Sequence, residues 1–130
     1  MPNSEYNNGA NKENELLSAL TEKGYVVYRV AGSGTGEDAH ADVVALAPNT
    51  TYLIEVKKRT DGQGYIPKQE VNALAADASR CGARAIIAVR RDARTFDEPW
   101  QFFAPHQLGE TEKNYKFAPD LDGAATMAEV

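Results

Sequence analysis

Four residues in the first half of the chain are of a type and spacing that could do chemistry: Asp42, and then Glu55, Val56 and Lys57 in succession. If the second group lies on a strand, side chains alternate between faces, so Glu55 and Lys57 point the same way. Carboxylates gathered around one point make an oxygen site for a hard cation such as Mg2+ or Mn2+. Such a cation polarises a phosphoryl oxygen and acidifies a bound water. A lysine beside it positions that water or offsets the charge that develops on phosphorus. A spaced Asp followed by Glu-x-Lys therefore meets the requirements of metal-dependent phosphodiester hydrolysis. As a bare string the pattern is common by chance, and its weight comes from the elements that hold it.

Asp42–Ala47 and Thr51–Lys57 are rich in Val, Ile, Leu and Tyr and are separated by Pro48-Asn49-Thr50, a turn composition. They predict an antiparallel hairpin. Counting back from the turn places Asp42 opposite residues 55 to 57. Leu53 shares a face with Glu55 and Lys57, while Tyr52, Ile54 and Val56 face a core. Charged groups at the end of an apolar strand destabilise it unless they pair or hold a metal.

Ahead of the hairpin, the spacing of Leu16, Leu17 and Leu20 predicts a helix from about Ala10 to Lys23, stopped by Gly24. One turn back, that stripe reaches Glu13 on the core-facing edge, whereas Glu15 and Glu22 are placed for solvent. A glutamate favoured by the helix N-terminus is the plainer account of Glu13. Tyr25–Val30 reads as a strand ending near Arg29, a cation placed either for a phosphate or for the sheet surface. The loop from Ala31 to Ala41 holds three glycines but precedes a strand, which excludes a dinucleotide-binding turn and suggests a mobile active-site loop. His40 reads as an ordinary loop histidine.

Beyond the hairpin come Lys57-Lys58-Arg59 and a polar loop, then a second helix with Pro67 in its first turn, running to about Cys81 and stopped by Gly82. Lys68 and Gln69 fall in its first turn, near the gathered carboxylates. Its stripe is Val71, Leu74, Ala75, Ala78 and Cys81, so Cys81 reads as a small buried apolar side chain. Ala83–Val89 and Trp100–Ala104 are further strands, and Asn114–Phe117 is a short edge pairing. The order predicts one α/β domain with a mixed central sheet flanked by helices, spanning residues 9–117. Residues 1–8 read as a flexible lead and 118–130 as a disordered tail.

At 130 residues, 42% hydrophobic and 25% charged, the chain has the composition of one soluble globular domain. Its one cysteine excludes an intrachain disulfide and a cysteine-based zinc site. No apolar run approaches the ~18 residues of a membrane span, and the N-terminal MPNSEYNNG lacks a signal-peptide core, so a cytoplasmic protein is expected. The net charge is −5, but it is unevenly spread. Residues 55–94 carry 9 basic and 5 acidic groups, net +4, whereas the flanking thirds are −4 and −5. A basic middle beginning at Glu55 is compatible with a local phosphate-binding face or with an ordinary mixed surface.

The runs Gly9–Leu17, Gly24–Ser33, Ala41–Ala45 and Tyr52–Lys57, continuing through Gly82–Val89 and Trp100–Phe103, resemble the archaeal-type Holliday junction resolvases. The resemblance implies a restriction-endonuclease-like fold and a two-fold homodimer that cuts four-way DNA junctions with paired nicks, using Mg2+ for which Mn2+ substitutes. Neither an organic cofactor nor a membrane is implied. Glu13 matches the family's helix-one acidic residue, which completes the metal site, Asp42 and Glu55 match its main metal-binding carboxylates, and Lys57 its catalytic lysine. Val56 would offer its backbone carbonyl to the metal. Arg29 matches a basic residue needed for cleavage, Ser33 falls in the mobile catalytic loop, and Gln69 matches a glutamine of helix two. With Lys58, Arg59 and Lys68, these three form the expected DNA contacts. The chain departs from the family at Asn14, where a basic residue often stands, at Ala41, where proline is common, and in its acidity. A nuclease of the same fold acting on duplex or flap DNA, and a non-catalytic DNA-binding module, are the other readings; the intact set of Glu13, Asp42, Glu55 and Lys57 argues against the module.

Overall fold

The computed structural model describes residues 4–30, 40–58, 62–91, 99–118 and 125–126, with side chains from residue 12 onward. Helix α1 (Ser4–Glu22) begins six residues before the predicted start, so residues 4–8 are helical and not a lead outside the fold. Its Leu16 and Leu20 are fully buried, as their spacing requires. Gly24 then turns the chain at φ 100°, a conformation that costs glycine nothing.

Five strands form the main sheet in the order β1-β2-β3-β5-β6. Strand β1 (Val26–Arg29) pairs antiparallel with β2 (Val43–Ala47), and β2 with β3 (Thr50–Lys58). The predicted hairpin is present with Ala47 opposite Thr50 and Val43 opposite Ile54, which sets Asp42 against Glu55. Strand β3 continues parallel to β5 (Arg84–Arg90), and β6 (Trp100–Phe103) closes the far edge antiparallel to β5. The sheet is therefore mixed, as expected, with α2 (Lys68–Cys81) on the path from β3 to β5.

Both faces of the sheet are covered. On the α1 side, Leu16 and Leu20 pack with Val43, Ala45, Ile54, Ala88, Trp100 and Phe102. On the α2 side, Val71, Leu74 and Ala78 pack with Ala85, Ile87, Val89 and Phe103. The alternation along β3 divides accordingly: Ile54 enters the first core and Leu53 joins the second.

A second, smaller sheet lies outside the prediction. It orders β4 (Gly64–Pro67), β8 (Asn114–Phe117) and β7 (Gly109–Glu110), so Asn114–Phe117 pairs with β4 and not with the main sheet. Pro67 ends β4 and caps α2, one residue before the helix it was expected to enter. Cys81 is exposed and not buried: it occupies the last helical position, where Gly82 reverses the chain at φ 72° and the core stripe has ended at Ala78. The expected tail is partly held, since Ala118 is buried and Ala125 exchanges both backbone hydrogen bonds with Phe102 at 2.9 Å.

Candidate metal centre

Asp42 is fastened from several directions. Its backbone N–H donates to the Ile54 carbonyl at 2.8 Å, its carbonyl accepts from the Val30 N–H at 2.9 Å, and its carboxylate Oδ2 accepts from the Val56 N–H at 2.8 Å. The last bond ties the Asp42 side chain to the peptide that follows Glu55. The hairpin register alone makes this possible, because an offset of one residue would turn the pair to opposite faces.

Glu55 is buried, with 9% of its surface exposed. Its Oε1 lies 3.5 Å from Lys57 Nζ, while its Oε2 is buried without a hydrogen-bond partner among the described residues. Burial raises the Glu55 carboxyl above the ordinary carboxylate range; Lys57 opposes the rise, and Glu70 and Asp42 add to it. Lys57 Nζ also stands 3.9 Å from Glu70 Oε2 in the first turn of α2. Glu70 was not anticipated, although a carboxylate beside Gln69 in a helix first turn is visible in the sequence.

Glu13 is half-buried on α1, and burial together with the charge of Asp42 raises its pKa while Arg29 lowers it. Arg29 belongs to this neighbourhood too, since its guanidinium donates to Asn14 Oδ1. Asn14, the departure from the family pattern, is thus the partner of a residue expected to contact DNA. Glu13 senses Asp42 through its field, but among the described residues no three carboxylate, imidazole or thiolate groups form a cluster able to hold a metal unaided.

Of the other expected contacts, Lys58 and Gln69 are exposed at the ends of β3 and α2. Lys68 pairs with Glu110 at 3.1 Å and lies over the Tyr115 ring at 5.6 Å, so it is engaged with the smaller sheet. Ser33 and Arg59 lie outside the described residues, as does most of the glycine-rich loop. At the end of that loop, His40 Nδ1 is 2.7 Å from Asp77 Oδ2 on α2, a pairing no local pattern announced. Glu15 is not left to solvent as expected: it binds the buried Arg90 and the indole N–H of Trp100.

The residues fit a hard divalent cation. A buried carboxylate oxygen with no donor, beside a second carboxylate that raises its pKa, is an arrangement that a positive charge stabilises. Two carboxylates suffice where backbone oxygen, water and substrate phosphate complete the shell, as is usual for Mg2+.

Comparison with known proteins identifies the family. A family model described as archaeal Holliday junction resolvase matches residues 4–130. The crossover junction endodeoxyribonuclease Hjc of Archaeoglobus fulgidus is 36% identical over 108 residues, 83% of this chain and 76% of that protein. Its counterpart from Sulfurisphaera tokodaii is 34% identical over 90 residues, 68% of this chain and 62% of that one. The solved structure of Archaeoglobus fulgidus Hjc, a Holliday junction resolvase, superposes with a TM-score of 0.80 at 33% identity, covering 90% of this chain and 94% of that chain.

Proposed function

We infer that this protein, which belongs to the archaeal Holliday junction resolvase family and has its restriction-endonuclease-like fold, is an endonuclease that resolves four-way DNA junctions by paired symmetric nicks. It does so as a homodimer whose two sites cut strands of opposite sense, in the cytoplasm, with Mg2+ as cofactor and Mn2+ as substitute. No helix among the described residues is long and apolar enough to cross a membrane. The observation that carries the reading is the bond from the Val56 N–H to the Asp42 carboxylate beside a buried Glu55 with an unpartnered oxygen.

Asp42 and Glu55 would hold the cation with the Val56 carbonyl, and Glu13 would add negative field from α1. When bound, the cation supplies Lewis acidity toward a phosphoryl oxygen and an acidified water. Lys57, anchored between Glu55 and Glu70, aims its ammonium at the same face, where it holds the attacking water or the charge growing on phosphorus. Arg29, Ser33, Lys58, Arg59, Lys68 and Gln69 are the proposed contacts to the DNA backbone. The Lys68–Glu110 pair, open to solvent on its glutamate side, is weak enough for a phosphate to replace the carboxylate.

The test is a labelled four-way junction incubated with and without Mg2+, with nicks mapped on all four strands and a matched linear duplex alongside. Symmetric nicks on opposing strands of the junction alone are expected. Equal cleavage of the duplex would point to a restriction or repair nuclease instead, and no Mg2+-stimulated cleavage of any DNA would point to a non-catalytic module. Asp42→Asn and Glu55→Ala should abolish cleavage with junction binding intact; loss of binding in both folded variants would overturn the assigned roles.

A further inference from the structure

Consecutive residues of α1 reach opposite halves of the main sheet. Asn14 accepts the Arg29 guanidinium on β1, one edge of the sheet. Glu15 takes Arg90 Nε on both oxygens, at 3.1 and 3.2 Å, and accepts the Trp100 indole N–H at 3.3 Å. Trp100 lies on β6, the opposite edge, about 19 Å from β1 at the usual strand spacing. Glu13 precedes this pair of attachments and lies close enough to Asp42 to feel its charge. Leu16 and Leu20 seat the helix on the sheet, and these two polar attachments, one to each side, fix the roll that remains and with it the direction in which Glu13 is presented.

The Arg90 attachment is the stronger of the two. Arg90 is 9% exposed, its guanidinium stands 5.9 Å over the Trp100 ring, and it donates from Nη1 to the Arg91 carbonyl. A buried arginine is costly unless a carboxylate and acceptors meet its fork. The carboxylate that meets it comes from α1, so the cost is offset only when that helix is seated.

We propose that Arg90, locked by Glu15 and Trp100, is a positioning residue for Glu13, setting the roll of α1 that turns the Glu13 carboxylate toward Asp42 and thereby strengthening the site's hold on its divalent cation. The inference rests on the metal-dependent reading above. Plain attachment of α1 to the core would affect stability and leave metal affinity unchanged, and that difference is measurable.

The experiment is a Mn2+ titration of the full chain without DNA, free Mn2+ being read by electron paramagnetic resonance. Arg90→Gln is expected to weaken Mn2+ binding about tenfold, the lower end of the effect of residues that orient metal ligands. Arg90→Lys, which keeps the charge without the fork, should fall between it and the wild type. Junction affinity in EDTA should change less than twofold, and the cation concentration for half-maximal cleavage should move with the Mn2+ affinity while the rate at saturating cation holds. Unchanged Mn2+ affinity in folded Arg90→Gln overturns the proposal, as does a loss confined to the saturating rate. Should Arg90→Gln fail to fold, Glu15→Gln is judged by the same standard, since it keeps an acceptor for the indole and removes the ion pair. A wild-type protein that binds no Mn2+ would bring down the metal reading and this inference with it.

Discussion

Glu55 is held at a cost to the folded state, because its ionised form is buried with one oxygen unpaired. Its folded pKa lies above the unfolded one, so the folded state binds the proton more tightly. Folding stability conferred by this proton is present below the unfolded pKa and is lost as pH rises through the folded value. Glu55→Gln, which removes the ionisation, should therefore melt above the wild type at pH 7, with the gain vanishing below the ordinary carboxylate range. Saturating Mg2+ should raise the wild-type melting temperature and leave the variant unmoved. A variant less stable than wild type at neutral pH would show that the Lys57 contact outweighs desolvation. Lys57 offers no oxygen to a metal, so Lys57→Met should lower the cleavage rate by about 100-fold or more. Mn2+ affinity should survive in the same variant; its loss would make Lys57 a support for the carboxylates instead of a participant in the reaction.

At the scale of elements, β3 carries the site because it is central, its even positions entering the α1 core and its odd positions the α2 side. The smaller sheet is joined to the larger by Arg91, 1% exposed, which donates to Gln101 Oε1 at 2.8 Å and to the Gly62 carbonyl at 2.6 Å and lies 5.7 Å from the Phe117 ring. Arg91→Ala removes both bonds and empties the buried space that the arginine side chain fills, so a loss of roughly 3 kcal/mol is expected in urea unfolding. Amide exchange should quicken first in β4 and β8. A uniform rise across both sheets would mean that the two unfold as one unit and that Arg91 is not their joint.

At the scale of the whole molecule, an acidic chain must bind a polyanion through local contacts. Each backbone phosphate neutralised contributes close to one unit of slope to the dependence of log affinity on log salt. Arg29→Ala and Lys58→Ala should each reduce that slope by about 1 per site and weaken all junction sequences alike. Variants that lower affinity with the slope unchanged would remove those residues from the DNA face. The proposed paired nicks would require two sites in one particle, so sedimentation should report a mass of twice 14.2 kDa. A cruciform plasmid should then pass directly to linear product. Accumulation of nicked circles by a monomer would contradict the dimer.

The local content of the site was legible from the chain itself. Period-two alternation placed Glu55 and Lys57 on one face, a short turn set Asp42 opposite residues 55 to 57, and the leucine spacing of α1 put Glu13 on the core-facing edge; the structure pairs Asp42 with Glu55 and leaves Glu13 half-buried. These relations span a few residues and follow from backbone geometry, which operates before any distant contact forms. The family assignment likewise rested on residues readable in order. What only the tertiary structure decided were pairings with no period to announce them: β4 with β8, Lys68 with Glu110, His40 with Asp77, and Glu15 with Arg90 across 75 positions. Glu15 and Cys81 were misplaced for the same reason. A stripe on a helix says which side turns inward, but whether a flank meets solvent or a buried arginine depends on strands folded in from elsewhere in the chain.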